Sequence, residues 1–249
     1  VIAGIAFALA NMAPALLVAR QALLARRRSD GEVEWYPPGN LVLVLAGYGV
    51  VLILGAAILA GGEDGGLEGL VRGAVMGTLD SIAGFAEDGE PDAVRALGDM
   101  LVPVFPALVV VSWLLMTVAN AALAQGLLMR FGRNRRPPMR MSEVALPGWT
   151  PAALAATGVL AVLADGTLGY VATNAALVLL VPFFFAGLGV VHAFAETRPG
   201  RAMLLVLFYL FAFVLFQWVV PLVVGLGLIE HWAGLRARLP RPRPSSEDV

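Results

Sequence analysis

The chain has 249 residues, of which 59% are hydrophobic and 14% charged, with a net charge of −1 and a mean hydropathy of +0.82. Soluble domains carry about one quarter charged residues; here the charges gather in a few clusters between long bare stretches, a layout that suits lipid as the solvent. Cysteine is absent and every basic residue is arginine, which excludes disulfides, thiolate metal sites and cysteine catalysis.

Val1 to Ala19 reads as a first span, interrupted by Asn11 and Pro14 and followed by Arg20, Arg26, Arg27 and Arg28. Proline is tolerated in a membrane helix when neighbours satisfy the freed carbonyl, so an irregularity is expected near Asn11. The chain opens inside this apolar stretch without a basic leader, and further helices are expected upstream. Flanking arginines stay on the cytoplasmic side of a span, which puts this basic loop inside. In Val33-Glu34-Trp35-Tyr36-Pro37-Pro38-Gly39 the prolines break any helix, and the aromatic pair suits an interfacial anchor. Leu41 to Ala60 is the second span, running outward.

Residues 61–102 differ in kind. After the glycines of 61–66, Leu67, Leu70, Val71, Ala74, Val75, Thr78, Leu79 and Ile82 recur at helical spacing and form one apolar stripe. A second short helix starts around Pro91, a favoured first-turn residue, with Val94, Leu97 and Leu101 on one side. Glu63, Asp64, Glu68, Asp80, Glu87, Asp88, Glu90, Asp92 and Asp99 stand against only Arg72 and Arg95, and the scarcity of arginine fits the outer face. Two readings stay open: a helix pair lying in the interface or packed on the bundle, and a lid over an outward pocket, hinged at Gly61, Gly62, Gly65, Gly66 and Gly89.

Leu101 to Met129 is an uncharged run of 29 residues, and roughly 20 apolar helical residues cross a bilayer. The third span falls at about Val104 to Met129, and Arg130, Arg133, Arg135, Arg136 and Arg140 follow it inside. Within it Trp113, Thr117 and Asn120 share one face, which should look into the bundle or a cavity. Interhelical hydrogen bonding and ligand contact both account for that face. Ala152 to Ala164 is marginal for a crossing and ends at the turn Asp165-Gly166. Leu168 to Ala195 carries Tyr170 and Asn174 one turn apart, Pro182, and Gly187 and Gly189, small residues that let helices approach closely. Ala202 to Ile229 is the last segment, containing Gln217 and Pro221. From Arg236 to Val249 the arginines and prolines read as a disordered tail.

The expected fold class is therefore all-α: a polytopic transmembrane bundle of about six hydrophobic segments over 1–235, with an amphipathic extracytoplasmic insertion at 61–102 and a tail at 236–249. The localisation expected is a bacterial inner membrane, multi-pass. Three segments after Arg130 would put the arginine tail outside, against the arginine rule, so one segment should fail to cross; Ala152 to Ala164, Pro182 and Pro221 are the candidates. No phosphate loop is present, no charge lies deep in a span, and Ser112 and His192 lack a nucleophile elbow. No catalytic, metal or cofactor site is expected. The arginine clusters flank the bilayer and are not read as nucleic-acid patches.

Several stretches resemble a known family together: Asn11-x-x-Pro14-Ala15 running into a basic loop, Val33 to Gly39, the Trp113 to Asn120 helix, Phe185 to His192, and Gly225 to Trp232 before arginines. The chain resembles the YybS-like family of predicted bacterial membrane proteins, which is distantly similar to the substrate-binding S-components of energy-coupling-factor transporters. That resemblance implies a helical bundle capturing a small molecule from outside, with a separate ATP-driven module as partner. A solute pocket would be lined by Trp113, Thr117, Asn120, Asn174 and Gln217, which orient a neutral ligand without a buried charge. The alternative is a membrane structural or assembly protein, recruiting partners through the amphipathic segment and basic loops.

Overall fold

The computed structural model describes residues 2–84 and 91–240; Glu87, Asp88, Gly89, Glu90, Arg241, Arg243 and the last acidic residues of the tail lie outside the described residues. The fold is all-α apart from one short hairpin among these residues. The first segment runs as α1 (Ile2–Phe7), a π turn (Ala8–Met12) and α2 (Ala13–Ala22). Pro14 has no N–H to give, and the wider π turn just before it takes up that mismatch. Asn11 Nδ2 donates back to the Phe7 carbonyl at 3.2 Å, so the irregularity expected near Asn11 is a π turn.

The basic loop after α2 is not a plain loop. Strands β1 (Ala25–Arg27) and β2 (Val33–Trp35) pair antiparallel, with Ala25 opposite Trp35 and Arg27 opposite Val33. Asp30-Gly31 makes the turn: Gly31 has φ +88°, its N–H reaches the Arg28 carbonyl at 3.0 Å, and Asp30 Oδ1 accepts from Glu32 N–H at 3.0 Å. A three-residue loop with glycine in the left-handed position is a standard hairpin connection. The prolines do end this segment, and helix resumes at Pro38.

The remaining helices are α3 (Pro38–Leu59), α4 (Gly66–Ala83), α5 (Pro91–Leu101), α6 (Phe105–Arg130), α7 (Thr150–Leu163), α8 (Gly166–Glu196), α9 (Arg201–Val214) and α10 (Phe216–Ala233). Among the described residues four stretches are long and apolar enough to cross a membrane: Pro38–Gly62, Asp92–Arg130, Gly166–Glu196 and Phe216–Ala233; α7 and α9 are shorter apolar helices. The segment expected as one helix from Ala202 to Ile229 is instead two, α9 and α10, parted at Leu215 (φ −109°, ψ 34°). Pro221, one turn into α10, cannot donate to the Gln217 carbonyl, yet the chain parts before it. Four segments, not three, thus follow Arg130.

Contacts divide the chain into two compact units: Val1–Val44 with Ala121–Thr150 and Leu180–Val249, and Leu45–Asn120 with Pro151–Leu179. In the second, Leu45, Ala46, Val110, Leu114, Val171 and Val178 form the core. The acidic pair α4 and α5 packs by Leu67 and Val75, with Met76 against Gly98 and Arg72 Nη1 on Asp99 Oδ1 at 2.7 Å. In the first unit Phe183, Phe185, Ala186, Leu188 and Val223 are buried. Gly187 and Gly227 let α8 and α10 touch there: a methyl on Gly187 would overlap the Val223 carbonyl, and one on Gly227 the Phe183 carbonyl. Phe213 and Trp218 are 82% and 71% exposed, an outer surface suited to acyl chains.

Leu235–Arg238 is a 3-10 helix after the left-handed Gly234, and Arg236 is held by the protein, as described below.

Candidate functional site

Asn174 is fully buried, and its amide is inserted into a neighbouring helix. Its Oδ1 accepts from the Ala107 N–H at 2.8 Å while its Nδ2 donates to the Pro103 carbonyl at 3.0 Å and to the Tyr170 carbonyl at 2.9 Å. Ala107 and Pro103 are four residues apart, so the amide bridges a helical hydrogen bond that the chain does not make directly. One turn earlier, Tyr170 Oη donates to the Val102 carbonyl at 2.8 Å. That carbonyl is the one Pro106, lacking an N–H, cannot serve. Tyr170 and Asn174 of α8 therefore mend the entry to α6 where Pro103 and Pro106 interrupt its ladder.

Thr117 Oγ1 donates to its own helix at the Trp113 carbonyl, 2.9 Å away. Trp113 is half-buried, with its ring 6.0 Å from that of Tyr48. Asn120 and Gln217 are exposed, and Gln217 belongs to the other unit. Ser112 is exposed, whereas His192 is half-buried with Nε2 2.9 Å from Tyr209 Oη.

A second cluster, which the sequence reading did not assemble, lies in the first unit around loop 131–149. Arg136 Nη1 donates to the Ala22 carbonyl at 3.0 Å and the Tyr36 carbonyl at 3.4 Å, and its guanidinium lies 5.6 Å from the Trp35 ring centre. Burial pushes the Arg136 pKa down, with Glu143 opposing. Gly39, at the start of α3, sits against the Ala145 carbonyl where no side chain would fit. Ser142 Oγ donates to Glu196 at the end of α8, at 3.1 Å. Arg236 donates through Nη1 to the Ser142 and Val144 carbonyls at 2.8 and 2.9 Å, and through Nε to Glu230 Oε1 at 2.8 Å. The C-terminal ends of α2, α6, α8 and α10 and the N-terminal end of α3 thus gather at one end of this unit.

Beside Arg136 the hairpin opens into a groove of about 330 Å³ lined by Leu24, Ala25, Arg26, Glu34, Trp35, Tyr36 and Pro37. Arg26 Nη2 bonds Glu34 Oε2 at 2.8 Å, and Arg28 Nε lies 3.8 Å from the same oxygen. The Arg26 hydrogen bond and charge hold the Glu34 carboxyl below the usual carboxylate range. Volume and lining fall at the small end of ligand- or side-chain-sized sites.

A model of the DUF2232 family, described as predicted membrane proteins, matches residues 82–230. The chain belongs to the DUF2232 family. No curated protein and no solved structure matches it. The DUF2232 match takes in the Pro103–Pro106 entry, Tyr170, Asn174 and the α8–α10 crossing, and it ends at Glu230. The hairpin groove lies before it.

Proposed function

We propose that this DUF2232 protein is a non-enzymatic, multi-pass assembly protein of a bacterial inner membrane, and that its hairpin groove receives a partner protein. The groove carries the reading. It is open, it is backed by Arg136, and it combines Trp, Tyr and Arg, the residue types that dominate binding energy at protein interfaces. The arginines around it favour the cytoplasmic face for this end. A photo-crosslinking residue in place of Tyr36 is expected to give a discrete protein adduct in intact membranes, and Trp35→Ala is expected to abolish it. A crosslinked yield that ignores Trp35 would overturn the reading.

A second reading is small-solute capture of the kind the YybS-like and S-component resemblance implies, with an ATP-driven module as partner. The half-buried Tyr48–Trp113 ring pair, with Thr117 one turn on, favours it. On that reading purified protein carries a small molecule whose loss lowers its melting temperature, and Trp113→Ala removes the effect.

A further inference from the structure

We propose that the loop after α6 binds anionic phospholipid headgroups. Helix α6 ends abruptly at Arg130: Gly132 adopts φ +65°, and the Arg133 N–H closes onto the Leu128 carbonyl at 2.8 Å. This is a left-handed glycine cap, and it fixes where the following side chains emerge. Arg136 is turned inward onto Ala22, Tyr36 and Trp35, which leaves its neighbours facing out. Arg130, Arg133, Arg135 and Arg140 are exposed, and among the described residues none of them makes an ion pair. Glu143 is the carboxylate of this loop, and it acts on Arg136.

The apolar surface directly before these arginines decides what covers them. Leu127, Leu128, Met129 and Phe131 are 57%, 48%, 41% and 70% exposed. Acyl chains cover such a surface in a membrane, and the phosphates nearest to it are then those of the same lipids. Clustered arginines just past a span attract anionic headgroups over about a Debye length. An acidic soluble polymer would satisfy the guanidinium groups but not the leucines and phenylalanine. Phosphatidylglycerol supplies both parts.

The test uses the full chain in a zwitterionic detergent, with lipid retention read by native mass spectrometry. Phosphatidylglycerol is expected to be retained in preference to phosphatidylcholine. The triple variant Arg133→Gln, Arg135→Gln, Arg140→Gln alters exposed groups only and is expected to lower that retention by about tenfold or more, in keeping with the attraction each such arginine supplies near an anionic surface. Arg95→Gln, in the acidic segment, is expected to leave it unchanged. Equal retention of the two lipids, or no loss in the triple variant, overturns the proposal. So does displacement of the lipid by inorganic phosphate alone, or by a short RNA at equal charge concentration. Should the triple variant fold poorly, half-maximal salt for lipid release from the unaltered chain decides: release unaffected by salt overturns the proposal.

Discussion

The Tyr170 hydroxyl meets the Val102 carbonyl at 2.8 Å because Pro106, four residues after Val102, has no N–H to offer it. Val102 is fully buried; its carbonyl also accepts the Phe105 N–H, so the Tyr170 hydroxyl serves its second lone pair, a bond worth about 0.5–1.5 kcal/mol. Tyr170→Phe is expected to destabilise the protein by that amount. In a Pro106→Ala background the helix can close its own bond, and most of the cost should vanish. A double-mutant cycle read by thermal unfolding in detergent checks this; full additivity of the two changes would contradict it.

Asn174 carries the same logic with more at stake. Asn174→Ala strands the Ala107 N–H and the Pro103 carbonyl together, and the expected loss is about 2–4 kcal/mol for two orphaned groups and a cavity. The loss should appear in protein stripped of any small molecule. A stable apo Asn174→Ala variant would contradict this bridging role.

The residues explain which parts of this fold were legible. Spans, the amphipathic stripe from Leu67 to Ile82 and the helix start at Pro91 follow from apolar runs and spacing, both local properties. The hairpin was legible in principle from Asp30-Gly31, but three successive arginines at 26–28 read first as a membrane-flanking loop. The parting at Leu215 left no glycine or proline at the break to mark it. The type and apolar surroundings of Asn174 permit ligand contact; that its amide serves groups 67 and 71 residues away in sequence is fixed only by folding. Arg236 was assigned to a tail for the same reason, since its partners Ser142 and Val144 lie far back in the chain.

Glu230 and Arg236 keep side-chain exposures of 9% and 19%. Removing one member of such a pair leaves the other charge poorly solvated, which costs about 3–5 kcal/mol in buried settings. Glu230→Gln and Arg236→Met are each expected to approach that range. Glu230→Gln combined with Arg236→Met should recover much of it, though the Ser142 and Val144 carbonyls still lose their donor. Melting temperatures of the four proteins measure the coupling.

The Glu34 carboxyl is held below its ordinary value by Arg26 first, with Arg28 assisting. A depressed folded value means the stabilisation is present above the ordinary carboxylate range near 4.5 and is lost as pH falls through the lower folded value. Because the chain has no cysteine, spin labels at Arg27→Cys and Val33→Cys, cross-strand partners in the hairpin, report on it alone. Their distance distribution is expected to broaden only below about pH 4.5. With Glu34→Gln the change on acidification should be smaller, since an exposed ion pair of this kind contributes little to order.

The absence of cysteine also allows sidedness to be read one position at a time. Arg136, Ser142 and Arg236 tie the hairpin, the 131–149 loop and the end of α10 to one end of a single unit. Single cysteines at Ser29, Asn134 and Ala237, all exposed, should therefore react with an impermeant maleimide from the same side. By the arginine bias that side is expected to be cytoplasmic. A cysteine at exposed Ser81 in α4 should react from the other side, since the 22-residue α3 carries the chain about 33 Å, one bilayer thickness, between them. Were α9 and α10 a single crossing, Ala237→Cys would label together with Ser81→Cys. That pattern would be incompatible with the Arg236–Val144 hydrogen bond.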